Sequence, residues 1–250
     1  MANPDLARLS ADFFQVQHST DPLTATLLGV SGFDDRLPDP SRPGSQAGAT
    51  ALAEIERRLA SIDPSTLGEA DRINHAVLSA LAWGARSDLE HSLWEANASA
   101  KSYVSPQAMA FQAVPTAPLP DAGAIHGYLR RLGGLSGYFD AIAQRYREAK
   151  ADGRMPTAVG VRHAITQLSG HLGTEVAHDA LLHPDLPAGS AVREQAAAII
   201  AERVRPAMRR LLATLADELM PVARPDDQVG IRFVPGGEEG YRAAVRRHTT

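Results

Sequence analysis

The sequence predicts an all-α fold, an irregular multi-helix array with long kinked helices and at most one short strand pair. Three observations predict it. Apolar residues recur at three- and four-residue steps through every long segment. Helix caps and breakers fall at the ends of those segments. Alternating β-type runs are almost absent, residues 229–234 being the one short candidate.

Asn3-Pro4 is an N-cap followed by proline at the first helical position, where its missing N–H is harmless. Leu6, Leu9, Phe13 and Val16 then share one face, which predicts a helix over 4–17. Asp21-Pro22 repeats the cap signal for a short helical turn over 23–28, closed by Gly29 in a left-handed conformation. A Pro/Gly/Ser-rich loop fills 30–48. Leu52, Ile55, Leu59 and Ile62 predict a helix over 49–62, stopped at Asp63-Pro64-Ser65. The next helix, over 69–94, presents Ile73, Val77 and Leu81, and Gly68 caps it only weakly. Residues 97–120 are punctuated by Pro106, Pro115, Pro118 and Pro120, so they read as a packed irregular connector with at most one short helix.

Ile125, Leu129, Leu132, Leu135, Phe139, Ile142 and Tyr146 predict a helix over 123–151. Gly133-Gly134 is expected to split it, since glycine costs a helix about 1 kcal/mol relative to alanine. A helix over 157–172 follows. The longest, over 190–220, carries Val192 through Leu219 on one stripe and should kink at Pro206. A last helix opens at Glu238 with Tyr241, Ala244, Val245 and His248 at helical spacing. No capping signal follows, which predicts that 238–250 is frayed or docked on a neighbouring molecule and that the chain self-associates.

Composition narrows the function. The 250 residues suffice for a single helical domain over 1–250, and 44% hydrophobic content supplies its core. A net charge of -4 and 5% aromatic residues argue against nucleic acid, which asks for a basic face and stacking platforms. The absence of cysteine excludes disulfides and thiolate sites. The first residues carry no basic, then apolar, signal pattern. No apolar run approaches the roughly 20 residues of a membrane span, so no membrane partner and a cytoplasmic location are expected.

Motifs with chemistry are scarce. A zinc peptidase helix needs two histidines one turn apart with a glutamate beside the first, and no His-Glu dipeptide occurs. The nearest pattern, His171 with Glu175 and His178, has di-iron spacing at Glu175 and His178 but lacks a second pair. His91 and Glu95 read as an exposed i,i+4 contact. Arg205, Arg209 and Arg210 read as a solvated basic face paired with Glu202 or Asp217. Phosphate loops and a nucleophile elbow are missing; Ser136 stands in an incomplete elbow and reads as structural. Gly236 to Gly240 reads as a turn before a helix with an acidic first turn. Catalytic, cofactor-binding and metal residues are therefore assigned to none in this chain.

The string Gly32-Phe33-Asp34-Asp35-Arg36-Leu37-Pro38-Asp39 is the sharpest in the sequence. With Tyr128-Leu129-Arg130-Arg131-Leu132, Gly153-Arg154-Met155-Pro156, the segment from Glu218 to Arg224, Pro235-Gly236-Gly237 and the segment from Tyr241 to Thr250, it resembles the bacterial domain of unknown function 885. That family is similar to helical zinc metallopeptidases, with its His/Glu-rich helix in a second half. The resemblance implies that this chain is the N-terminal helical half of a longer two-part, metallopeptidase-like protein. It would shape one side of a cleft for a peptide-like substrate. Zinc belongs to the full-length family and none to this chain; the partner is the missing C-terminal half or a second copy. The competing reading is a non-catalytic helical interaction module. Asp34, Asp35 and Arg36 are the possible cleft or structural motif, with a turn-forming role favoured.

Overall fold

The structure, a computed structural model, describes residues 3–101, 105–183 and 185–249. Readings that involve Met1, Ala2 and Thr250 lie outside the described residues. The helices are α1 (Pro4–Thr20), α2 (Pro22–Leu27), α3 (Arg42–Ala60), α4 (Glu69–His91), α5 (Pro106–Ala113), α6 (Ala122–Ala151), α7 (Ala158–Gly173), α8 (Ala191–Ile199), α9 (Arg205–Ala213) and α10 (Gly237–Thr249). Short 3-10 turns join several of them. The fold is all-α, and among the described residues the one β-type contact is an isolated parallel bridge between Thr157 and Arg224. The strand expected at 229–234 is instead a loop with a 3-10 turn, Ile231–Phe233. With Gly230 before it and no partner strand, that segment has no ladder to join. No helix among the described residues is long and apolar enough to cross a membrane.

The chain divides into two compact units. One comprises residues 1–20, 42–93 and 236–250; the other comprises 21–41 and 94–235.

In the smaller unit, α1, α3 and α4 bury Leu6, Leu9, Phe13, Leu52, Ile55, Leu59, Leu78 and Ala82 together. Helix α3 begins at Arg42, earlier than the composition of its first turns suggests, because Pro43 stands in the first turn, where no N–H is needed. The buried face of α4 is Leu78 and Ala82, while the predicted stripe of Ile73, Val77 and Leu81 stays exposed at 60%, 53% and 45%. Periodicity alone could not choose between two apolar stripes on one helix.

The predicted fraying of the C-terminal segment is corrected too. Helix α10 is formed through Thr249 and packs on α4. Its contact face runs through Gly237 and Gly240 to Arg247, so Tyr241 and Val245 remain exposed. A Cβ on Gly240 would stand 2.6 Å from the Leu93 side chain, which would have to shift to admit it. Arg247 pairs with Asp88 and donates to the Gly84 carbonyl, and Arg246 lies over the Trp83 ring at 4.0 Å.

In the larger unit, α6 is the central element and is continuous over its 30 residues. It buries Tyr128, Leu132, Leu135, Phe139, Ile142 and Tyr146, packing on α9 and the α8 end. The segment from α8 through α9 to Leu219 is one continuous helical path with π-helical turns at Ile200–Val204 and Thr214–Leu219. The first π turn ends just before Pro206. A proline ring collides with the carbonyl four residues back and leaves it without a donor; a widened turn relieves both problems. The irregularity expected at Pro206 is thus a π turn.

Candidate functional site

The Gly133-Gly134 pair does not split α6, and side chains from distant segments lie close over its bare backbone. A Cβ on Gly134 would lie 3.2 Å from Leu37, and one on Gly133 would lie 3.2 Å from the Arg203 guanidinium. Gly127, Arg130, Gly134 and Gly137 recur at three- and four-residue steps and so share a face of α6. The loop of residues 33–40 lies along that face, and the α8 end lies beside the adjoining one.

Two hollows result. The first, of about 250 Å³, is lined by Asp35, Leu37, Asp39, Arg130, Arg131 and Tyr138 among others. The second, of about 570 Å³, is lined by His126, Leu129, Arg130, Gly133, Gly134, Gln195, Ile199 and Arg203. They share Arg130 and Gly134, so they adjoin along α6 and are taken together as its groove. Gln195, Ile199 and Arg203 stand four residues apart, and Arg203 belongs to the π turn.

The loop wall is fastened by a buried arginine. Arg131, 1% exposed, donates to the Thr26 hydroxyl at 2.9 Å and to the Phe33 carbonyl at 2.6 Å. Thr26 in turn donates to Asp34 at 2.7 Å, so a neutral hydroxyl joins guanidinium to carboxylate. Burial pushes the Arg131 guanidinium down to about 10, with Asp34 and Asp35 opposing the shift; it stays protonated at neutral pH. Its Nε has no partner among the described residues. Asp35 accepts from Arg130 at 3.0 Å on the lip of the first hollow. Arg36 lies 3.7 Å from Asp35 and over the Phe33 ring. The structure therefore places Asp34 in the fastening, Asp35 in the lining of the first hollow, and Arg36 outside the lining.

Other buried arginines hold the remaining irregular segments. Glu95, read from the sequence as an exposed partner of His91, is 3% exposed and pairs with both Arg145 and Arg154. The reading failed because α4 ends at His91, where Ser92 takes a left-handed φ of 43°, so the helical spacing does not continue. Arg205, read as part of a solvated basic face, is buried; it pairs with Asp179 at 3.0 Å and caps the Thr174 carbonyl. Of its neighbours, Arg210 pairs with Asp140 at 2.7 Å and Arg209 is exposed. Arg224 donates to the carbonyls of Met155, Gln228 and Gly230, and burial lowers its pKa.

The histidines do not gather into a metal site. His171 stacks on Phe111 with ring centroids 3.8 Å apart, and burial lowers its pKa. Helix α7 ends at Gly173, so Glu175 precedes and His178 ends a separate 3-10 turn, both exposed and 3.9 Å apart. Buried His183 accepts from the Asp185 N–H at Nδ1 and donates from Nε2 to the Ala117 carbonyl, which occupies both ring nitrogens. Among the described residues no three His, Cys, Asp or Glu side chains converge on one point. The donor set here does not fit a zinc ion, which needs three or four such ligands around it.

His126, Arg130 and Arg203 do not stand out in the sequence as site residues. The available signal was the run of glycines at three-, four- and seven-residue steps on an otherwise well-formed apolar helix, which reads as a weakness until its neighbours are seen.

The family described as "Bacterial protein of unknown function (DUF885)" matches residues 22–250. A solved structure described as "the putative lipoprotein from Colwellia psychrerythraea" superposes with a TM-score of 0.74 at 17% identity, covering 98% of this chain and 46% of that one. The chain thus spans about half the length of the solved structure it matches. No curated protein matches.

Proposed function

The chain belongs to the bacterial family of unknown function DUF885, and from that premise we propose that it serves as a helical, cleft-forming part of a metallopeptidase-like protein. In this reading the groove along α6 holds a peptide-like substrate, while metal, metal-bound water and general base come from outside these 250 residues. The observation that carries it is the groove itself: two hollows joined across Gly134, floored by bare helix backbone and walled by a loop that a buried arginine fastens. Small-molecule and peptide sites are commonly concave and preformed, with a few placed polar groups among apolar ones. The coverage of under half of the solved neighbour supports a division of labour within a longer protein.

The test is photolabelling of the purified chain with a benzophenone-bearing peptide library, read by mass spectrometry beside a peptide-hydrolysis assay. Labels are expected in 33–40, 126–141 and 195–203, with hydrolysis at background. Labels confined to residues 1–20 or 42–93 would contradict the cleft. Chelator-sensitive hydrolysis by the chain alone would contradict the assignment of the catalytic groups elsewhere.

A further inference from the structure

The two hollows differ in charge. The first holds Asp35 and Asp39 beside Arg130 and Arg131. The second is lined by Arg130, Arg203 and His126 with no carboxylate in its wall. Asp35 answers Arg130. Arg203 forms no ion pair or hydrogen bond with any described residue, although its Nη1 lies close against Gly133. Both side chains are exposed, and two guanidiniums facing one hollow give it a positive potential that favours an anion there. The same hollow offers Gln195 as a neutral partner and Leu129 and Ile199 as an apolar wall.

We propose that the hollow between His126, Arg130 and Arg203 is a binding site for the terminal carboxylate of an extended, peptide-like ligand. The planar fork of a guanidinium matches the two oxygens of a carboxylate. The ligand body runs past Leu129 and across Gly134 into the first hollow, where Leu37 and Tyr138 give it apolar contact. There the buried Arg131 Nε has no hydrogen-bond partner among the described residues. The extended ligand rests on the cleft reading; the charge of the site rests on the lining alone.

Gly133 makes the proposal separable from stability. Alanine there removes a mid-helix glycine, which favours α6. Its Cβ, 3.2 Å from the Arg203 guanidinium, displaces only the end of a flexible side chain.

The experiment is titration calorimetry of the full chain with an N-acetylated alanine tripeptide as free acid, the same tripeptide as C-terminal amide, and inorganic phosphate. The acid is expected to bind saturably one to one, with the amide and phosphate each at least tenfold weaker. Arg203→Gln should weaken the acid at least tenfold with an unchanged melting temperature. Gly133→Ala should raise the melting temperature and still weaken the acid. Acid and amide binding alike, phosphate binding as tightly as the acid, wild-type affinity in Arg203→Gln or Gly133→Ala, or no binding of the acid would each overturn the site. Peptide photolabels in the groove that persist with amidated probes would overturn the carboxylate site and leave the cleft standing.

Discussion

In the larger unit the arginines that matter lie inside: Arg131, Arg145, Arg205 and Arg224 are between 1% and 7% exposed. In the smaller unit the arginines are only part-buried: Arg86, 24% exposed, pairs with Glu56 and Glu90, and Arg58, 36% exposed, pairs with Asp12. The difference follows from the backbone. The smaller unit is nearly all regular helix, so its carbonyls are satisfied within the helices and its stability rests on apolar packing. The larger unit carries long irregular segments whose carbonyls fall inside the protein, at Phe33, Thr174, Met155 and Ala96. A guanidinium offers five donors on a long stem, so one side chain can satisfy several such acceptors. Buried charge is the cost of keeping irregular walls beside α6, and those walls shape the groove.

The largest expected effect breaks this contrast at Glu95. Glu95→Ala leaves Arg145 and Arg154 without their buried carboxylate and should cost about 4 kcal/mol, measured by urea unfolding. Arg86→Met in the smaller unit removes part-exposed pairs and should cost about 1 kcal/mol. Equal losses would mean that the two units are not held differently.

A second contrast sharpens the account of the smaller unit. Leu78→Ala opens its core and should cost about 3 kcal/mol, whereas Val77→Ala, next door but 53% exposed, should change stability by less than about 0.5 kcal/mol. The same unfolding curves decide it.

The smallest effect is pH dependence in the larger unit. His171 is held below its ordinary pKa by burial against Phe111. The unfolded chain therefore takes up the proton first. Stability is unaffected well above the unfolded histidine value of about 6.5 and falls as the pH drops through that value toward the lower folded one. His171→Gln should flatten that slope between about pH 7 and 5. An unchanged slope in the variant would assign it to other groups.

The fold class was legible because helical periodicity and Asp-Pro or Asn-Pro caps are local signals. Asp21 caps α2 through its bond to the Thr24 N–H, and Gly29 takes a φ of 72° after that helix. What was not legible depended on partners. Which stripe of α4 is buried is decided by α1 and α3, and the packed face of α10 by α4. What covers Gly133-Gly134 in α6 is Leu37 and Arg203, which are far away in sequence. Glu95 and Arg205 carry the same letters whether solvated or buried, and only the tertiary arrangement distinguishes them. Of the candidate motif, Asp35 lines the groove and Asp34 helps fasten its wall, while the cationic rim opposite was hidden within an ordinary helical pattern.

The central claim is that the α6 groove is where this protein meets its ligand. Hydrogen exchange of the full chain with and without the saturating acetylated tripeptide acid tests it most directly. The account predicts new protection in 33–40, 126–137 and 195–203, with α1 and α4 unchanged. Protection confined to α1 and α4, or none along α6 under saturation, would contradict it.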